Sequence, residues 1–183
     1  MRGWSFTLTS FVFIAAIAAA DGARAAEALN LVQVRGAWLE RFTRYTDWPS
    51  VPTGENPQFN LCVLNDHVFA RLLREMYREQ TIKSRPTLIH EMDLNNRFET
   101  CELIYIGNVE ADDLPALLKR LNQHPALLVA AHNGFAEAGV HINLYEEQGL
   151  LRFEINLTAA KAVGINFSSR LLQVARVVQG STP

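Results

Sequence analysis

The sequence predicts an α/β fold: a Rossmann-like, mostly parallel sheet flanked by helices, with a C-terminal antiparallel β-hairpin and a terminal helix. Three observations predict it. Short apolar runs alternate with segments of helical periodicity through the middle of the chain. Two strictly alternating segments then follow one another across a polar turn. The length, 183 residues, suits one domain preceded by a targeting segment.

The targeting segment is residues 1–25. Arg2 gives a short basic start, and Phe6 to Ala20 is apolar apart from a few Ser and Thr. That is the length of a secretory h-region. Ala23-Arg24-Ala25 places small residues at the two positions a signal peptidase reads, so cleavage is expected after Ala25 and the domain spans 26–183. The expected destination is an oxidising export compartment. No apolar stretch reaches the ~20 residues of a membrane-spanning helix.

The elements follow in order. Glu27 to Asp47 reads as a helix, with Leu31, Val34, Trp38, Phe42 and Tyr45 on one face and Pro49 and Pro52 stopping it. Its aromatic stripe is expected in the core, with a ligand pocket as the alternative. Phe59 to Leu64 reads as a buried strand and Val68 to Arg78 as a helix. Thr87 to Met92 is a strand after the turn Ser84-Arg85-Pro86. Leu103 to Ile106 is a strand ended by Gly107-Asn108. Asp112 to Asn122 reads as a helix with Pro115 in its first turn. Ala126 to Ala130 is a fourth strand.

The last third alternates. Val140 to Tyr145 and Leu150 to Leu157 form the hairpin, joined by Glu146-Glu147-Gln148-Gly149 as a four-residue turn. That register sets Asn143 opposite Arg152 and His141 opposite Glu154. Thr158 to Val163 reads as a short helix with Gly164 at its end. Ser168 is expected to cap a last helix running to Val178.

The composition excludes several functions. With 17 basic and 19 acidic residues the net charge is −2, which argues against nucleic-acid binding. There is no G-x-S-x-G, P-loop or G-x-G-x-x-G motif, so no dinucleotide or other cofactor is expected and no catalytic residue is assigned. Among the five histidines only His132 and His141 could pair on a metal, and no third ligand is evident, so no metal is expected. Cys62 and Cys101 lie in or beside neighbouring strands. In an export compartment they are expected to form a disulfide closing a loop of about 40 residues, worth about 4 kcal/mol by chain entropy. The alternative is two reduced buried thiols.

His141, Asn143, Arg152, Glu154 and Asn156 share the polar side of the hairpin. An ordinary half-exposed face is expected. Cover by a helix would make a buried polar network, and cover by a partner would set specificity. A His–Glu pair there could make binding sensitive to pH near neutrality.

Several segments together are family-like. They are Tyr45-Thr46-Asp47-Trp48-Pro49, Phe59-Asn60-Leu61-Cys62-Val63-Leu64, Arg85-Pro86, Cys101 and Gly139-Val140-His141-Ile142-Asn143-Leu144. Phe153-Glu154-Ile155-Asn156, Ala159-Ala160, Gly164 and Ser168-Ser169-Arg170-Leu171-Leu172 complete the series. In order and spacing, the chain resembles the YfiR-like (YfiR/HmsC-like) periplasmic repressor family. The resemblance implies a small exported α/β domain, often a homodimer, with no catalytic activity. It implies inhibition of an inner-membrane diguanylate cyclase through its periplasmic sensory domain, which lowers cyclic di-GMP and biofilm formation.

By the resemblance, Cys62 and Cys101 match a family disulfide and Glu154 an acidic residue in a region of partner contact. Arg152, Glu154, Asn156, Ser168 and Ser169 are the expected partner contacts. The name-giving member has a second cysteine pair that this chain lacks, which puts redox switching in doubt. The alternative function is a periplasmic small-molecule sensor, with Asn65, Asp66, Asn108, His132 and Asn133 at the carboxyl ends of the strands.

Overall fold

The structure is a computed structural model and describes residues 31–49, 58–122 and 124–180. The targeting segment, its cleavage site and the start of the first helix lie outside the described residues.

Helix α1 (residues 31–44) seats Leu39 and Phe42 in the core. It ends earlier than its apolar spacing predicts. Thr46 turns back to bond the Phe42 carbonyl through its hydroxyl at 2.7 Å, and the chain leaves as β1 (Thr46–Asp47). There follow β2 (Phe59–Leu64), α2 (His67–Met76), β3 (Thr81–Ile82), β4 (Arg85–Met92), β5 (Leu103–Ile106), α3 (Leu114–Leu121) and β6 (Leu127–Ala130). The last third contains α4 (Phe135–Ala138), β7 (Ile142–Glu147), β8 (Leu150–Asn156), α5 (Leu157–Ala162), β9 (Asn166–Phe167), α6 (Ser169–Leu172) and β10 (Arg176–Val178).

Eight strands form one sheet in the order β10-β8-β7-β6-β5-β2-β4-β3. The run from β7 to β4 is parallel. The hairpin joins it through β7, which pairs with β6 at only Ile142 and Asn143. β1 and β9 make a separate two-stranded antiparallel pair.

The central strands are apolar on both sides because both sides are covered. Leu61, Val63, Leu103, Tyr105, Leu127 and Val129 meet Leu39 and Phe42 of α1 and Phe69 and Leu73 of α2. Cys62, Leu64, Ile104, Ile106, Leu128 and Ala130 meet the leucines of α3 and Phe135 of α4. The aromatic stripe of α1 is core: Trp38, Phe42 and Phe153 stand in mutual contact, with centroids 5.1 to 5.5 Å apart.

Three of the family-like segments meet at the amino edge. The Trp48 indole donates to the Glu102 carbonyl at 3.1 Å, and the Glu102 carboxylate pairs with Arg85. Lys83 donates to the Thr46 carbonyl at 2.8 Å and lies 4.9 Å from the Trp48 ring centre. Next to them, Cys62 and Cys101 are joined in a disulfide, with Cα atoms 5.8 Å apart.

Two expectations about the last third are corrected. The hairpin turn is Gln148-Gly149 alone, both at positive φ (54° and 74°), a geometry that matches the strand twist. Glu147 therefore faces Leu150, and Asn143 faces Glu154 instead of Arg152. The terminal helix stops after one turn at Leu172. Arg176-Val177-Val178 instead pairs in parallel with Glu154-Ile155-Asn156 and becomes an edge strand.

Candidate functional site

The polar side of the hairpin is buried, which corrects the half-exposed reading. His141, Asn143, Glu154 and Asn156 are each at most 2% exposed. α4 packs against β7 and β8 on this side, and the side chains of Asn143, Glu154 and Asn156 find hydrogen-bond partners there.

Asn143 sits at the centre. Its Oδ1 accepts from the His132 backbone N–H at 3.0 Å, and its Nδ2 donates to Glu154 Oε1 at 3.0 Å. The other Glu154 oxygen accepts from Arg176 Nε at 3.0 Å and from the Arg176 terminal nitrogen. The carboxylate thus has charge-assisted bonds on one oxygen and an amide on the other, so neither oxygen is left without a partner in the interior. It holds the guanidinium in its charged form even more firmly than usual. Beyond His132 the chain of bonds continues. Its Nε2 donates to the Gly107 carbonyl at 2.7 Å. The side chain that would follow a Cβ at Gly107 is excluded, because that atom would lie 2.5 Å from the Leu64 carbonyl. One line of hydrogen bonds therefore runs from the loop after β5 to Arg176.

Asn156 has a different task. Its Oδ1 caps α5 by accepting from the Ala159 N–H at 2.9 Å, and its Nδ2 donates to the Ala136 carbonyl of α4 at 2.8 Å. His141 also faces inward. Its Nδ1 accepts from the Leu128 N–H at 3.1 Å, and burial pushes its pKa down to about 3. A neutral imidazole, bonded to backbone and not opposite Glu154, cannot supply the pH sensitivity near neutrality that the expected pairing suggested.

At the surface, Arg176 is more than half exposed and lies 5.0 Å from the Tyr145 ring centre, a cation–π distance. Its terminal nitrogen is 3.9 Å from Glu137 of α4. Tyr145 faces Arg152 across the hairpin, and Arg152 pairs with Glu147 at 2.8 Å. Val177 (48% exposed) follows Arg176 on the opposite face of β10, and Val174 (68%) is exposed just before the strand. β10 ends the sheet, so its outer edge has no strand neighbour among the described residues.

Of the five expected partner contacts, Arg152 and Ser169 are exposed. Ser168 caps α6 by accepting from the Leu171 N–H at 3.4 Å. Glu154 and Asn156 lie beneath the surface and support it. Arg176 and Tyr145 were missed as site residues. The signal for Arg176 was the β-branched pair Val177-Val178 beside it, which favours a strand over a helix.

The structure gathers the second expected group at the carboxyl edge, but its polar groups serve the fold. Asn65 donates its side chain to the Asn108 carbonyl at 3.4 Å, and the Asn108 N–H returns to the Asn65 carbonyl at 3.3 Å. Asp66 caps α2 through the Phe69 N–H at 2.9 Å. His132 is tied on both its ring and its backbone, as above. The side chains of Asn108 and Asn133 are exposed and make no hydrogen bond. Among the described residues no group of three or more His, Cys, Asp or Glu is placed to hold a metal ion, and no helix is long and apolar enough to cross a membrane.

Two solved structures share the fold. A conserved domain protein from Vibrio cholerae O1 biovar El Tor strain N16961 aligns with a TM-score of 0.52 at 17% identity, over 64% of this chain and 54% of its own. The ABC domain from Streptococcus pneumonia, solved in complex with L-Trp, aligns with a TM-score of 0.50 at 12% identity, over 66% and 56%. The chain thus spans just over half the length of each. No protein of curated function matches it in sequence. Residues 32–176, from the first helix to Arg176, match the YfiR/HmsC-like family, and the chain belongs to that family.

Proposed function

We propose that this protein is a periplasmic regulator that restrains an inner-membrane diguanylate cyclase, or a related signalling protein, by binding its periplasmic domain. In this reading residues 1–25 are a cleaved signal peptide and 26–183 a single domain that acts by binding, without catalysis. The observation that carries it is membership of the YfiR/HmsC-like family across residues 32–176, whose members are known as periplasmic regulators of such cyclases. The Cys62–Cys101 disulfide supports the compartment, since such bonds persist where the environment is oxidising.

The contact surface is the polar side of the hairpin and β10, formed by Tyr145, Arg152 and Arg176, together with the exposed Val177 of β10 and Ser169 of α6. Glu154 and Asn156 act on it from below. Inhibition requires tighter binding to the partner's inactive arrangement than to its active one. Equal affinity for both would shift nothing. A homodimer is compatible with this scheme, which leaves one sheet edge for each copy's partner.

Cellular cyclic di-GMP, measured in the host with and without the gene, tests the proposal. A rise on deletion, reversed by restoring the exported protein, is expected. An unchanged level across growth conditions would remove the cyclase as the partner. An Arg176→Glu variant that still folds should fail to restore repression.

A further inference from the structure

The loop between β6 and α4 carries the chain's single Asn-Gly dipeptide, Asn133-Gly134. Both residues are exposed. Gly134 sits at φ +81°, and a Cβ added there would meet nothing within 4 Å. No hydrogen bond engages the Asn133 side chain or the Gly134 N–H. Asn95 and Asn108 are also exposed, but each is followed by a residue with a Cβ, and other asparagines have side-chain bonds. Asn143 and Asn156 are buried with both ends of the amide bonded. Asn96 accepts from the Asp93 N–H, and Asn166 donates to the Gly164 carbonyl. None of these is followed by glycine. A glycine without a Cβ leaves its backbone nitrogen open to the preceding side-chain carbonyl and free to reach the required backbone angles.

We infer that Asn133 is a site of spontaneous deamidation and isoaspartate formation. The Gly134 backbone nitrogen attacks Asn133 Cγ. The bond from Cγ to Nδ2 breaks, the proton lost from the Gly134 nitrogen goes to the leaving group, and ammonia departs. Solvent water then opens the resulting succinimide. Opening at one carbonyl yields aspartate and at the other isoaspartate. No oxidant or second reactant is needed.

The position gives the change a structural consequence. Isoaspartate routes the main chain through the former side chain and lengthens it by a methylene. The neighbouring His132 N–H is the donor that holds Asn143 Oδ1 at 3.0 Å, and its carbonyl accepts from Phe135 N–H at 3.3 Å. Phe135 is the buried anchor of α4. Lengthening the loop between them displaces α4 from the buried polar line it covers. Age thus loosens the Asn143–Glu154–Arg176 arrangement.

The test uses the purified, folded mature chain, held in mildly alkaline buffer at physiological temperature and sampled by peptide mass mapping. Progressive loss of the amide at Asn133 is expected, with the product resolving into aspartate and isoaspartate forms. Peptides containing Asn65, Asn108 and Asn166 keep their amides. The melting temperature of the aged protein falls in step with its isoaspartate content, whereas aged Asn133→Gln protein holds its initial value. An Asn133 that stays intact in the folded chain, or converts only after denaturation or no faster than the other asparagines, overturns the assignment. An equal loss of melting temperature in aged Asn133→Gln overturns the consequence. No partner enters these measurements, so they stand or fall separately from the regulatory proposal.

Discussion

Asn143 and Glu154 face each other across the β7–β8 pair, and the Asn143 amide donates to the Glu154 carboxylate at 3.0 Å. The pairing turns a surface question into one about the interior. A carboxylate at this depth is stable only while Asn143 and Arg176 supply its donors.

Glu154→Lys is therefore expected to damage the fold before it damages any interface. It sets a second cation against Arg176 in a site shielded from water and leaves the Asn143 amide without its acceptor. A loss of about 3–5 kcal/mol is expected. Glu154→Gln keeps the shape and one acceptor and should lose only about 1–2 kcal/mol. Urea unfolding of both variants checks the order. A Glu154→Lys protein with the wild-type midpoint would show that the carboxylate is not buried as described.

Arg176 divides stability from binding. Its guanidinium is more than half exposed and bonds Glu154 with two nitrogens. Arg176→Ala removes both bonds and should lower stability by about 2 kcal/mol, because the carboxylate keeps only Asn143. Arg176→Lys retains the charge but not the fork, and should recover part of that stability. If the guanidinium also meets a partner, Arg176→Lys will repress cyclic di-GMP less well than its melting temperature predicts. Repression that simply tracks stability across the two variants would make Arg176 a purely structural residue.

Much of this was legible in the sequence, and the failures have physical causes. β2 and β5 begin and end where their apolar runs do, because burial on both faces favours apolar residues, with only Asn60 at the start of β2 polar and half-buried. The hairpin's two faces were legible from period-two alternation, but its register was not. Gln148-Gly149 lacks the Asn-Gly signature of a two-residue turn, so the four polar residues read as the loop. A two-residue slip preserves which side each residue faces while changing every partner. That is why Glu154 was placed on the correct side and given the wrong neighbour.

The cover over that side left no periodic trace. α4 has only four residues, too few for an amphipathic pattern to emerge. At the C-terminus the Ser168 cap is real, but a cap fixes where a helix starts and not how far it runs. Beyond Leu172 the open edge of β8 offers backbone partners to Arg176, Val177 and Val178. Tertiary pairing outweighs the local helical tendency there.

The disulfide offers a clean stability measurement. Cys62 and Cys101 are 39 residues apart in sequence. Closing a loop of that size in the unfolded chain is worth about 4 kcal/mol. A Cys62→Ser, Cys101→Ser double variant should lose about that much against the oxidised protein. It should lose little against the reduced wild type, since both then lack the same crosslink. A double variant as stable as the oxidised protein would show that the bond contributes nothing to folding.

His141 predicts how the protein responds to acid. Its imidazole is buried, accepts from the Leu128 N–H, and has its pKa lowered from 6.5 to about 3 by burial. The unfolded chain takes up a proton at His141 as the pH falls through its ordinary value, while the folded chain does not. Unfolding is therefore favoured progressively from pH 6.5 down towards 3. Within that window each unit removes about 1.4 kcal/mol through this one group. Above the ordinary value both states are neutral there and no loss arises. His141→Gln offers the Leu128 amide another acceptor but cannot be protonated. It should start less stable at neutral pH, because the amide fits the imidazole's space imperfectly, and should then lose stability less steeply with acid. The decisive quantity is the difference in slope between the two proteins' unfolding free energies against pH. Parallel slopes would mean that other groups cause the acid response. A shallower slope in the variant would identify this buried histidine as its source, and would separate acid sensitivity of the fold from any effect at the Arg176 surface.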